Sequence, residues 1–177
     1  IHGVDLAAPT PEVVALTRAT LLERKVVGFR DQALDDASHI AFARHFGDLD
    51  AFPFGAPGDD PFVLEIHHNE RSPGAENGWH TDVTWMETPS LGSIARIVQS
   101  PEAGGDTLFA DSHAACLGLP TEVYERLVHV DGTHDYRAFL AGLSDSLIDE
   151  VKSAIPFGVT HPLVRTHPET GKAALYL

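Results

Sequence analysis

The sequence predicts a mainly β domain with flanking α-helices. Three observations lead there. From residue 61 onwards, short apolar runs with alternating or β-branched character recur between Gly/Pro-rich turns, the pattern of sheet strands. Capped helical segments precede and interrupt these runs. The 177 residues, 43% hydrophobic and 21% charged, suffice for one domain with a buried core.

Each element follows from local chemistry. Thr10 is placed to cap a helix that has Pro11 at its first position, where the missing N–H costs nothing. Val14, Thr17 and Leu21 then share a face, and the helix should end near Lys25. Val26-Val27-Gly28-Phe29 reads as a strand. Asp36 or Ser38 should cap a second helix, in which Phe42 and Phe46 bury together and Gly47 provides the stop. Residues 51–61, with three prolines and two glycines, form a loop. Strands are expected at 61–66, 79–85, 92–98 and 106–110, with a polar loop at 69–78 and a turn at 101–105. Helices are expected at 121–128 and 145–154. A turn at Glu169–Lys172 should lead into a last strand, Ala173–Leu177. That strand stops inside an apolar run, so residues 1–177 are expected to be one domain that lacks its C-terminal strands.

Composition narrows the function. A formal charge of −14 argues against nucleic acid and anionic membranes as partners. No apolar run approaches the ~18 residues of a membrane helix, and Ile1–Asp5 lacks the basic start of a signal peptide. A single cysteine, Cys116, excludes an internal disulfide and a Cys-based zinc cage; it should be a small buried hydrophobe. These features point to the cytoplasm and to a small-molecule partner.

Eleven histidines direct attention to metal chemistry. Two ligands can come from one strand when they stand two residues apart, because i and i+2 share a face. Four His-x-acid pairs occur where chance supplies roughly one or two: His68/Glu70, His80/Asp82, His129/Asp131 and His167/Glu169. The first runs into a polar loop, the third ends a helix, and the fourth contains a proline before a turn. His80-Thr81-Asp82 follows a glycine-containing loop, opens an alternating segment and is flanked by Trp79 and Trp85. Buried there, the pair would need either a mutual hydrogen bond or a metal. As metal ligands, His80 and Asp82 supply two thirds of a 2-His-1-carboxylate triad, which leaves positions open on Fe(II).

The run from Trp79 to Pro89 resembles the taurine dioxygenase (TauD/TfdA-like) family of Fe(II)/2-oxoglutarate-dependent oxygenases. The likeness continues in order through Val26–Gln32, Phe46–Leu49, Gly104–Phe109, His134-Asp135-Tyr136 and His161–Pro168. It implies a double-stranded β-helix (jelly-roll) core, incomplete at the C-terminus. It implies a dioxygenase that uses Fe(II), 2-oxoglutarate and O2, with His80 and Asp82 as iron ligands and Thr107 on the distal carboxylate of 2-oxoglutarate. The family's third ligand, a His, and its 2-oxoglutarate Arg lie beyond the equivalent of Leu177. His161 and His167 match other family positions, and paired barrels in the family make a homo-oligomer an expectation.

On the substrate side, Val83, Tyr176 and Phe52 match pocket positions. Phe52 and Gly55 stand where the taurine enzyme has a His and a Tyr, and Glu76, beside Asn77, replaces an Asn. Phe139 and Leu140 fall near a further pocket position. An apolar pocket of this kind suits an alkyl sulfate or alkylsulfonate better than taurine, in a sulfur-scavenging role. The alternative is a non-catalytic jelly-roll that binds a small molecule or metal. A zinc hydrolase is disfavoured, because no candidate general base stands near His80 apart from Asp82.

Overall fold

The computed structural model describes residues 1–52, 60–69, 78–140 and 144–177. The expectations on Gly55, Glu70, Glu76 and Asn77 fall outside the described residues, as does the side chain of Phe139.

The helices form where their caps allow. In α1 (Pro11–Arg24), the Thr10 hydroxyl accepts from the Val13 N–H, and Lys25 closes the far end in a left-handed conformation, donating to the Leu21 carbonyl. Thr17 is buried, and its hydroxyl donates to the Val13 carbonyl at 2.8 Å. Helix α2 (Asp36–Ala43) is capped by Asp35, and Ser38 supplies the reciprocal half of a capping box. The Ser38 hydroxyl also holds the Asp35 carboxyl below its ordinary range. Phe42 is fully buried, edge-on to Phe46 at 5.3 Å and to Phe29 at 6.2 Å. The helix itself ends before Gly47, with Arg44 at its C-cap.

Four further helices follow: α3 (Ser112–Leu117), α4 (Thr121–Leu127), α5 (Arg137–Leu140) and α6 (Asp145–Ala154). The Asp111 carboxylate caps α3, which buries Cys116, and Ser144 caps α6.

Among the described residues, hydrogen-bonded strand is confined to β1 (Asp131–His134), β2 (Val159–Pro162), β3 (Val164–Thr166) and β4 (Ala173–Leu175), so helix is the larger share. β1 pairs antiparallel with β2, placing Gly132 opposite His161 and His134 opposite Val159. β3 and β4 form a hairpin around the turn expected at 169–172. Its closure runs through the His167 N–H, which donates to Lys172 O at 2.8 Å. Leu163 joins the two ladders. Its N–H donates to Val130 O, and its carbonyl accepts from the Tyr176 N–H. A Cβ at Gly132 would stand 2.8 Å from Leu163 Cδ2, so a larger residue there would require the Leu163 side chain to shift.

The strands expected at 26–29, 61–66, 79–85, 92–98 and 106–110 form no ladder among the described residues. Their alternation is real, but a strand also needs a partner. Ile97, Val98, Leu108 and Phe109 are strongly exposed. Side chains hold the first stretch of 92–98 to α2: His39 Nε2 donates to Ile94 O at 3.0 Å, and the Arg96 guanidinium donates to Leu34 O and Asp36.

The core that positions the site is small. Trp85, Tyr136 and Val151 form its buried centre, with Phe52, Val83, Met86, Leu140 and Ile155 packed around it. The Tyr136 hydroxyl donates to Ile155 O at 2.9 Å, tying the end of α6 to the segment after β1.

Candidate metal centre

His80 and Asp82 come together through a turn. Residues 82–85 fold back, and the Met86 N–H donates to Val83 O at 3.0 Å. Val83 has φ +50°, a left-handed conformation that a β-branched residue adopts only under constraint. The alternation of Trp79, Thr81, Val83 and Trp85 therefore does not describe a strand. Trp85 is buried, whereas Trp79 is 72% exposed. Both candidate ligands are solvent-accessible rather than inward-facing, with side-chain exposures of 62% for His80 and 66% for Asp82.

The geometry nevertheless suits a cation. His80 Nδ1 lies 2.9 Å from Gly78 O, and since a carbonyl only accepts, Nδ1 carries the proton. In the neutral ring, Nε2 then presents its lone pair, 3.3 Å from Asp82 Oδ1. Two lone pairs facing each other at this distance require a proton or a cation between them. Neighbouring ligands of an octahedral ion, each about 2.1 Å from it, stand about 3.0 Å apart. A histidine ligand that donates its second ring N–H to a backbone carbonyl is the usual supporting arrangement, because it sets the tautomer and aims the ring. Among the described residues, no group of three His, Cys, Asp or Glu is placed to hold a metal ion, and His80 and Asp82 stand as a pair.

The other expected residues divide into two groups. Phe52 and Val83 share the core cluster, with the Phe52 ring edge-on to Trp85 at 6.4 Å, so an apolar wall backs the His80–Asp82 turn. Tyr176 lies between His134 and His161, each ring 5.3 Å away, and His161 in turn bonds Met86 O of that cluster. The Arg165 guanidinium covers its face at 4.3 Å. Burial raises the pKa of the Tyr176 phenol. Burial, then the charges of His161 and Arg165, lower that of His134. Thr107 sits on the exposed 102–110 segment.

Of the remaining histidine pairs, His167/Glu169 is structural and His129/Asp131 is exposed, while Glu70 of the third lies outside the described residues. His167 Nδ1 accepts from the Glu169 and Thr170 N–H groups, while Glu169 pairs with Arg18 at 2.9 Å. His129 is exposed just after α4.

One residue escapes sequence reasoning. His161, 6% exposed on β2, donates through Nε2 to Met86 O at 2.9 Å. Its position in the His161–Pro168 run was the only signal, and that run says nothing of a contact 75 residues away.

The chain is similar along its whole length to known proteins. The family model for the taurine catabolism dioxygenases TauD and TfdA matches residues 1–177. The chain is 34% identical over 193 residues to the alpha-ketoglutarate-dependent sulfate ester dioxygenase of Pseudomonas putida, covering 100% of this chain and 62% of that protein. It is 33% identical over 188 residues to the alkylsulfatase of Acinetobacter baylyi, covering 100% of this chain and 58% of that protein. The crystal structure of a taurine dioxygenase from Burkholderia xenovorans superposes with a TM-score of 0.78 at 35% identity, over 99% of this chain and 57% of that one. The chain thus spans about three fifths of the length of each (62%, 58% and 57%). No helix among the described residues is long and apolar enough to cross a membrane.

Proposed function

The chain belongs to the TauD, TfdA family of taurine catabolism dioxygenases, and from that premise we propose that the complete protein is an Fe(II)- and 2-oxoglutarate-dependent dioxygenase. Residues 1–177 form most of a single jelly-roll oxygenase domain, and strands beyond Leu177 carry the third iron ligand and the 2-oxoglutarate Arg. The observation that carries the reading is the His80 tautomer: Nδ1 is committed to Gly78 O, and Nε2 is left facing Asp82 Oδ1 at 3.3 Å. With iron, 2-oxoglutarate and O2 bound, the centre supplies hydroxylation of an unactivated C–H bond with release of succinate and CO2.

This chain's residues hold and orient. His80 Nε2 and Asp82 Oδ1 hold the iron, and the Gly78 carbonyl keeps the imidazole in the ligating tautomer. Thr107 donates its hydroxyl to the distal carboxylate of 2-oxoglutarate. Phe52 and Val83, backed by Trp85, and Tyr176, held by Arg165, form the substrate side and exclude water from an alkyl chain.

The substrate is a small sulfate ester or sulfonate, with an alkyl sulfate preferred. The names of the Pseudomonas and Acinetobacter relatives support this, as does an aromatic residue at 52 where an amine would need a polar partner. Hydroxylation of the carbon that bears the heteroatom lets the product collapse to an aldehyde. Such a reaction fits sulfur scavenging in the cytoplasm, where a ferrous centre is kept reduced.

In the complete protein, His80→Ala and Asp82→Ala should each abolish substrate-dependent succinate formation. Undiminished turnover by either variant refutes the assignment. In a competition assay, taurine consumed faster than a medium-chain alkyl sulfate refutes the substrate preference. The two-ligand set among the described residues favours one second reading, a non-catalytic binding protein. Succinate formation by the wild-type protein eliminates it.

A further inference from the structure

Met86 is held from both sides. Its N–H donates to Val83 O at 3.0 Å, and its carbonyl accepts from His161 Nε2 at 2.9 Å. The first bond closes the turn behind Asp82, and the second fastens that turn to β2. Between them, Val83 sits at φ +50°. A β-branched residue persists there only when its surroundings dictate the conformation. His161 is itself constrained. It is 6% exposed, its ring lies edge-on to His134 and to Tyr176, both at 5.3 Å, and the opposite strand position is Gly132. Its Nε2 must carry the proton, since Met86 O can only accept.

We propose that His161 is a positioning residue: by fixing the Met86 carbonyl, it sets the turn that aims the Asp82 carboxylate at His80 Nε2. This rests on the reading that His80 and Asp82 hold a metal. Hydrogen-bond partners that orient ligands typically control metal affinity by about 10- to 100-fold. His161 acts one step further out, through the backbone of the turn.

The test is Mn(II) titration of the complete protein, followed by the electron paramagnetic resonance signal of free Mn(II), with thermal unfolding measured in parallel. His161→Leu, which keeps bulk and removes the donor, should raise the Mn(II) Kd about tenfold or more. His161→Gln, whose amide nitrogen reaches close to the position of Nε2, should stay within about threefold of wild type. Phe42→Leu, a core change in α2 away from the turn, should lower the melting temperature without altering Mn(II) affinity. Should the Leu variant fail to fold, His161→Asn replaces it. Its shorter amide cannot reach Met86 O, so its Kd should exceed that of the Gln variant. Wild-type affinity in the Leu or Asn variant overturns the proposal, as does an equal loss in Phe42→Leu. Absence of Mn(II) binding by wild type, or undiminished binding by His80→Ala, overturns the metal reading and the proposal with it.

Discussion

Replacing Val83 by Ala and by Gly tests whether the turn behind Asp82 is held in a strained conformation. At an ordinary position Gly is less stable than Ala by about 0.5–1 kcal/mol, because its unfolded chain has more freedom to lose. Val83 has φ +50° and half-buried methyl groups against the Trp85 cluster. Val83→Ala gives up part of that packing, about 1 kcal/mol for two half-buried methyls, and keeps the steric cost of a Cβ in the left-handed region. Val83→Gly gives up slightly more packing but recovers that steric cost, about 1–2 kcal/mol. The usual order should therefore vanish or reverse, with the Gly variant equal to the Ala variant or up to about 1 kcal/mol more stable. Urea unfolding with linear extrapolation measures the difference directly. Metal affinity should move the other way, since a glycine no longer holds the Asp82 carboxylate in place. An Ala variant more stable than the Gly variant by about 1 kcal/mol would mean that Val83 is not held at positive φ, and the positioning argument would fail.

Three further outcomes are expected. Tyr136→Phe removes the donor to Ile155 O inside the core and should cost about 1–2 kcal/mol by chemical denaturation; no loss would remove Tyr136 as the tie to α6. The pKa of His134 is lowered in the fold, so the unfolded chain takes up the proton first as pH falls. Stability should drop as pH goes below about 6.5 and level off once the folded pKa is passed; His134→Gln should flatten that part of a melting-temperature profile, and an unchanged slope would assign it to other groups. Gly158→Ala, at φ +88° just before β2, should destabilise by about 1 kcal/mol or more, and a neutral result would show that the approach to β2 can relax.

What could be read from the sequence follows the range of the forces involved. Helices α1 and α6 end where Thr10, Lys25 and Ser144 satisfy their terminal groups, and such signals lie within a few residues of what they control. β1 and β2, Asp-Gly-Thr-His and Val-Thr-His-Pro, carry little apolar alternation, and their ladder depends on a partner about 30 residues away. The pairing of His80 with Asp82 is legible from spacing, but the reason is not the one the spacing suggests. A turn, not a strand face, brings Nε2 and Oδ1 to 3.3 Å. The grip of His161 on Met86 could not be read at all, because hydrogen bonds formed by tertiary packing leave no local pattern.

The exposed segment from Leu91 to Phe109 has a practical consequence. Ile97 (73%), Val98 (82%), Leu108 (73%) and Phe109 (67%) present apolar side chains on backbone whose N–H and C=O groups form no ladder among the described residues. Unpaired extended backbone with apolar flanks is a template for intermolecular β-pairing. Produced as residues 1–177 alone, the polypeptide should therefore self-associate as its concentration rises, in spite of a charge of −14 that repels copies at long range. Replacing Val98 and Leu108 with lysine should suppress that association, the same remedy that natural sheets apply to their open edges.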